Sequence, residues 1–269
     1  SFKLAPRSGR LSSGGGDGLN FQNQPGDIRD IFVAPAGCYV WAYDYDQLEI
    51  RIGAARSRDE NMIRAALSGD FHKSSQRAIF DLTGREVDKP IAKQRNFNAQ
   101  YGGYMDQLRN ILQKARIFVD DDLLELLTDT HKQEFPDWYV YGEDVVRFAK
   151  LTGYSETAYG RRRYDDDLFS SDNRAALHAE RALINHTVQG TAADMLKIAM
   201  RLVVPVLKKY GAHLAIQAHD ELEGWVPVEA AADFDREMKA VLGSLTLPGM
   251  QFSVSGGYGR TWDEAKKAG

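Results

Sequence analysis

The stretch LAIQAHDELEGWVP, Leu214–Pro227, alternates at period two on both sides of the polar triplet His219-Asp220-Glu221. That alternation predicts two half-buried strands, hence a β-hairpin with its tight turn at His219-Asp220. Burying such a triplet costs free energy unless it is hydrogen-bonded, ion-paired or bound to a metal. Far upstream, CYVWAYD (Cys38–Asp44) is rich in aromatic and β-branched residues and predicts a strand of roughly six residues ending in a lone carboxylate, Asp44. Cys38 is expected to be plain strand core.

Between the two acidic sites the periodicity is mostly helical. A helix is expected from about Gln47, and a second over NMIRAALSG, stopped by Gly69. More helices follow from His72 to about Lys150, punctuated at Gly84, Pro90, Gly102 and Pro136. GYSETAYGRRRYDD reads as a hairpin turning at Gly160, with a solvated arginine-rich turn. A long helical region from Asn173 to Gly211 is expected to break near Gln189-Gly190. After the 219–220 hairpin come a helix from Glu229 to about Leu242 and a final strand over Phe252–Val254. Residues 1 to 30, rich in Gly, Ser and Asn, read as extended, looping chain. The expected fold class is therefore α+β, a sheet core with a helical insertion between Asp44 and Asp220.

The 269 residues, 43% hydrophobic and 27% charged, have the composition of a soluble globular protein. No apolar run approaches the roughly 20 residues that span a bilayer, and no signal-peptide pattern opens the chain, so neither membrane partner nor secretion is expected. One cysteine excludes an internal disulfide. A net charge of −4 means that any polyanionic partner must be met by locally clustered cations.

Three constellations carry chemistry. Asp44 alone reads as a helix N-cap and Asp220 alone as a turn residue. Together, two carboxylates at the tips of adjacent strands repel one another unless a cation sits between them, and hard oxygen ligands suit Mg²⁺. In DKPIAKQRNFNAQYGGY, Pro90 starts a helix on which Lys89, Lys93, Phe97 and Tyr101 recur every four residues along one drifting face. That face is either a solvated lysine edge or a phosphate site followed by rings that stack on a base. In ERALINHTVQGTAAD, Arg181, Asn185 and Gln189 form a polar stripe, either a wet surface or a row of donors and acceptors for base edges. No phosphate-binding GxxxxGKS loop, GxGxxG, zinc spacing or G-x-S-x-G is present.

In this order the three constellations resemble the motifs of the family A DNA polymerases, the group of bacterial DNA polymerase I. DYDQLEIR is similar to the family's motif A, KxxxFxxxYG (Lys93, Phe97, Tyr101, Gly102) to motif B and QAHDEL to motif C. SGRLSS, LNFQNQP, GDFH, ERALINHTVQGTAAD and TWDEA are similar to secondary blocks, so the resemblance covers nearly the whole chain.

The resemblance implies a polymerase right hand with an antiparallel-sheet palm in residues 1–60 and 176–269, and helical fingers in 61–175. It implies DNA-templated DNA synthesis on primer-template DNA from dNTPs, with two Mg²⁺ ions. Asp44 and Asp220 would be the metal ligands, helped by the Tyr45 carbonyl and by Glu221 as a lesser contributor. Lys93, Lys89 and His72 would face the triphosphate, with Gln47 also at the nucleotide. Phe97 and Tyr101 would pack by the sugar and nascent base pair, and Glu49 would exclude a ribose 2′-hydroxyl. Arg10, Asn20, Gln22, Arg181, Asn185, Gln189 and His219 would contact DNA. The implied location is the cytoplasm of a bacterial or phage-infected cell, or an organelle.

Three residues depart from the pattern. Lys89 stands where Arg is usual, weakening bidentate phosphate contact; Asp46 replaces Ser, adding charge near the metals; and Asn98 replaces Gly. Two other readings stand beside this one: a catalytically silent DNA-binding accessory subunit, against which the intact carboxylates speak, and a phage-type RNA polymerase, against which Glu49 speaks. Only nine residues precede Arg10, so the thumb is expected on a missing N-terminal region or a partner chain.

Overall fold

The computed structural model describes residues 2–3, 9–13, 22, 26–103 and 105–268. Two compact units divide the chain: Ser1–Leu48 with Ala192–Gly269, and the inserted Glu49–Thr191. In the N-terminal segment β1 (Phe2–Lys3) pairs with β2 (Ser12–Ser13), and Gly26–Ile31 forms a 3-10 helix where loop is expected. β3 (Cys38–Tyr45) runs for eight residues, longer than its apolar run predicts, because neighbours pair with it on both edges. Cys38 opens this strand and is half-buried, not core.

The inserted unit is helical. It contains α1 (Leu48–Ser57, all but its first residue), α2 (Glu60–Leu67), α3 (Phe71–Thr83), α4 (Lys89–Gln100), α5 (Met105–Lys114), α6 (Asp121–Glu134), α7 (Pro136–Thr152) and α8 (Asn173–Asn185). Aspartates start several of these helices: Asp59 accepts from the Met62 amide at 2.9 Å, Asp70 from Lys73 at 3.1 Å and Asp120 from Leu123 at 2.7 Å. Each such cap satisfies an amide that the helix cannot and contributes about 0.5–2 kcal/mol. Gly84 and Gly153 end α3 and α7 in the left-handed region, at φ 71° and 84°. Ile79, Ala92, Leu108, Leu112, Leu124 and Leu127 close one core between α3, α4, α5 and α6.

β4 (Tyr154–Glu156) and β5 (Arg162–Tyr164) form the expected hairpin. Its arginines are not simply solvated. Arg161 donates to the Gly190 carbonyl at 2.9 Å, and Arg163 pairs with Asp165 at 2.9 Å in a half-buried setting. The chain does not break at Gln189-Gly190 either: a π-helical turn over His186–Gly190 joins α8 to α9 (Thr191–Tyr210).

In the first unit, β6 (His213–Ala218) and β7 (Glu221–Pro227) form the hairpin predicted around His219-Asp220. α10 (Ala231–Leu242) follows a short 3-10 turn, and β8 (Thr246–Leu247) pairs with β9 (Met250–Gln251). The final strand differs from the expected Phe252–Val254. β10 spans Val254–Gly259, a Gly-rich run whose strand state comes from pairing with β3 and not from side-chain propensity. α11 (Trp262–Lys267) ends the described chain.

The antiparallel sheet has the order β10-β3-β7-β6. Alternation along β3 sends Trp41, Tyr43 and Tyr45 to the α10 face, where Trp41 packs on Phe234 and Tyr43 donates to Asp235 at 3.0 Å. Val40 and Ala42 go to the α11 face, against Trp262 and Ala265. Gly256 lies at φ 106°, and a Cβ there would come within 2.1 Å of the Ala42 carbonyl oxygen, so this crossing needs glycine. No described helix is long and apolar enough to cross a membrane.

His131 in α6 is buried and shares a 3.0 Å hydrogen bond with the Tyr139 hydroxyl. Burial first, and the charge of Arg95 second, push its imidazole well below the ordinary histidine range. An unfolded histidine protonates near pH 6.5, so as the pH falls the unfolded chain binds the extra proton. The resulting stability is complete above about pH 6.5 and drains away below it. Urea unfolding monitored between pH 7.5 and 5 should show the wild-type midpoint losing ground relative to His131→Gln below about pH 6.5, a comparison in which the other titrating groups cancel; a pH-independent difference would contradict this.

Candidate active site

The register of the sheet assembles the acidic cluster. Asp44 lies directly opposite Glu221 across the β3–β7 ladder, and Ser255 flanks it on β10. Asp220 stands at the adjoining hairpin turn, where its carbonyl accepts from the Tyr45 amide at 3.2 Å. This two-residue turn holds His219 at φ 54°, a strained value for a non-glycine residue, and leaves its ring exposed. Asp44 and Asp220, the two predicted ligands, thus meet at the ends of neighbouring strands.

The electrostatics fit a cation. Asp44 is pushed up to about 6, first by burial and then by the charge of Asp220, with Lys266 opposing and Glu221 reinforcing. Lys266 Nζ sits 3.2 Å from Asp44 Oδ2 and also bonds Glu221 Oε2, so an ammonium already serves part of the cluster. Glu221 is buried, and its other oxygen accepts from the Trp262 indole at 3.0 Å. Two residues on, Glu223 is buried opposite Ala42 and raised to about 9, chiefly by burial and then by Glu221, which leaves it a neutral acid at pH 7. Lys266 lies outside every motif of the sequence, and Trp262 belongs only to the TWDEA block; both reach the cluster because α11 packs across the sheet.

Among the described residues no group of three or more His, Cys, Asp or Glu side chains converges as a metal cage. The donor set at hand is two carboxylates, with the Tyr45 carbonyl and Glu221 next to them in sequence. That is the sparse all-oxygen set on which Mg²⁺ keeps waters and takes substrate phosphates. Asp46, the extra charge of this region, accepts from Ser253 Oγ at 2.6 Å and from Ser255 Oγ. Gln47 holds the strand-to-helix junction at φ 51°. Gln22 is tied down, donating to the carbonyls of Gln217 at 2.9 Å and Leu11 at 3.1 Å. Arg10 is half-buried, and Asn20 lies outside the described residues.

In the inserted unit, α4 presents Lys89 and Lys93 exposed near its N-terminus and Phe97 and Tyr101 further along, with the two rings stacked 6.5 Å apart. Lys93 Nζ lies 5.9 Å from the Phe97 ring, and His72 packs on that ring from α3 at 5.6 Å. Lys89 donates to Asp70 at 2.7 Å. The Tyr101 hydroxyl donates to Glu49 Oε2, which joins the C-terminus of α4 to the start of α1.

A cleft of about 820 Å³ brings Phe97 and Tyr101 together with Arg181, Asn185 and Gln189. Asn185 Oδ1, in its wall, is buried without a hydrogen-bond partner among the described residues. Four α-helical residues overshoot a full turn by roughly 40°, so a stripe at spacing four drifts round a regular helix. The π-turn at His186–Gly190 takes up more chain per turn and draws Gln189 back over Asn185. A Cβ on Gly190 would lie 2.8 Å from His186 Nδ1 and from Thr157 Cγ2, so the hairpin seats on this turn only because residue 190 is glycine.

Asn98 depends on a similar vacancy. A Cβ on Gly103 would meet its Oδ1 at 2.0 Å and its backbone oxygen at 2.8 Å. Gly103→Ala should therefore displace Asn98 and the end of α4, costing about 1–3 kcal/mol in unfolding free energy. Gly190→Ala should do the same to the π-turn. Urea titration of each variant checks this, and wild-type midpoints would refute the close packing.

Comparison with known proteins agrees with this geometry. The profile of DNA polymerase family A matches residues 3–264. The chain is 37% identical over 275 residues to a thermostable DNA polymerase I of Thermus filiformis, covering 98% of this chain and 32% of that protein. It is also 37% identical over 278 residues to DNA polymerase I of Chloroflexus aurantiacus, covering 97% and 28%. The chain thus spans about a third of the length of the curated relatives it matches. Among solved structures, the POL domain of Pol1 from M. smegmatis, in complex with DNA primer-template and dNTP, superposes with a TM-score of 0.85 at 31% identity, over 98% of this chain and 48% of that one. With a match along almost its whole length, the chain belongs to DNA polymerase family A.

Proposed function

We propose that this chain carries the nucleotidyl-transfer centre of a DNA-templated DNA polymerase, extending a primer 3′ end with dNTPs. One observation carries the reading: Asp44 and Asp220, far apart in sequence, meet at the ends of adjacent strands, with Asp44 raised by burial and by its neighbour's charge. In this reading the discontinuous sheet unit is the palm and the inserted helical unit the fingers. The expected boundaries at residues 60 and 175 lie within the inserted unit.

Asp44, Asp220 and the Tyr45 carbonyl would hold the metal ions, with Glu221 behind them. Two Mg²⁺ ions would supply acidity to the primer hydroxyl and neutralise charge on the leaving pyrophosphate. Lys93 and Lys89, beside the positive end of α4, attract the triphosphate, with the His72 ring alongside. Lys89 must exchange Asp70 for phosphate, and as an ammonium it acts as a point charge without bidentate geometry. Phe97 and Tyr101 offer ring faces to the nascent base pair, while Glu49, held by Tyr101, fills the 2′ space. Gln47 completes the nucleotide contacts. Arg181, Asn185, Gln189 and His219 would hydrogen-bond primer and template, with Arg10, Asn20 and Gln22 as further DNA contacts.

Primer extension with Mg²⁺ and either dNTPs or NTPs tests the reading. Asp44→Ala and Asp220→Ala should each slow extension on the order of 10³-fold or more while DNA binding persists, since a lost ligand removes stabilisation specific to the transition state. Near wild-type rates would overturn the metal assignment. Glu49→Ala should admit ribonucleotides, and unchanged dNTP/NTP selectivity would remove Glu49 from that role.

A further inference from the structure

Behind α4 lies a buried polar network that the sequence does not announce. Arg95 is fully enclosed and donates to Glu134 Oε2 at 2.7 Å, to the Leu127 carbonyl at 2.9 Å, to Thr130 Oγ1 at 3.2 Å and to Asn96 Oδ1 at 3.2 Å. A guanidinium can only donate. The Asn96 atom facing Arg95 is therefore the amide oxygen, and the amide nitrogen faces the other way. That nitrogen lies 3.2 Å from His72 Nδ1. Since Nδ2 can only donate, Nδ1 must accept, and the single proton of neutral His72 resides on Nε2.

Among the described residues Nε2 has no hydrogen-bond partner. His72 is half-buried against the rings of Phe71 and Phe97. The charged groups around it are Lys93 and Lys89 of α4, Asp70 at the start of α3, and Arg95 behind Asn96 with its partner Glu134.

We propose that Asn96 is a positioning residue: relayed from Arg95, its amide locks His72 as the Nε2–H tautomer, an uncharged donor held ready for a phosphate oxygen beside Lys93. The inference rests on the nucleotide-binding role proposed above for His72. Protonation of Nδ1 would set N–H against N–H at Asn96, so the lock also opposes the imidazolium form. Burial, together with Lys93 and Lys89, acts in the same direction and outweighs Asp70. The site thus receives its positive charge from lysines and its directed hydrogen bond from a histidine that does not titrate as the triphosphate arrives.

The test is ¹⁵N NMR of the full 269-residue chain labelled at the histidine nitrogens, with His72 assigned by its loss in His72→Gln. The free wild-type protein at pH 7.5 should show a protonated Nε2 and a bare Nδ1. Asn96→Asp keeps an acceptor for Arg95 but loses the donor to His72. It should move the proton to Nδ1 and raise the titration midpoint of His72 by about one pH unit or more. A wild-type ring protonated on Nδ1, or an Asn96→Asp spectrum and midpoint equal to wild type, would overturn the lock. The wild-type spectrum decides even where the variant fails to fold. Adding dATP with Mg²⁺ to the wild-type sample tests the underlying reading separately. A shift of the Nε2 signal supports it; a correct tautomer that ignores dATP upholds the lock and removes His72 from the nucleotide site.

Discussion

The antiparallel ladder between β3 and β7 is the constraint on which the sheet unit depends. Its register sets Asp44 opposite Glu221 and Ala42 opposite Glu223, so one face of the sheet carries three carboxyl groups beside α11, which brings Trp262 and Lys266 to them. A one-residue slip of β7 would send Glu221 and Glu223 to the α10 face, among Trp41, Tyr43 and Phe234, and away from Lys266 and Trp262. The register is therefore enforced from both sides: by aromatic packing on one face, and by Trp262 and Lys266 bonding Glu221 on the other.

That face also shows how the sheet keeps concentrated negative charge and stays folded. Glu223 is neutral at pH 7, Glu221 is paired with an ammonium and an indole, and Asp44 shares the same ammonium. The pair at the strand tips, Asp44 and Asp220, is the one proposed above to hold a metal. The buried network beside that pair compensates charge that would otherwise destabilise the sheet.

The inserted unit handles its buried charge by another route. Arg95 lies two residues from both Lys93 and Phe97, about 160° round α4 from them, and points into the core, where Glu134 and the α6 carbonyl of Leu127 receive it. Removing one partner of such a pair leaves an uncompensated buried charge, typically a loss of about 3–5 kcal/mol. The orientation of α4 is thereby tied to α6 through directional bonds as well as apolar contacts.

Much of this was legible along the chain. Period-two alternation located β6 and β7, the aromatic strand located β3, and Pro90 and Gly84 marked helix ends, because those signals are local. The motif residues Asp44, Lys93, Phe97, Tyr101 and Asp220 were legible for the same reason: each stands at a regular spacing or at the end of a periodic run. The Gly-rich strand β10 was misplaced, since its strand state is imposed by β3 and not encoded in SVSGGYG. The π-turn was read as a break because no local pattern distinguishes it; its geometry comes from Gly190 seating against Thr157 and Arg161. The same holds for Lys266, Trp262, Arg95 and Glu134, whose partners lie tens to hundreds of residues away. The sequence by itself determined most of the helices, the strands β3, β6 and β7, and which side chains bring acid, cation or ring. Only the tertiary structure decided which carboxyls are neutral and which are paired, because desolvation and charge coupling depend on distances through space.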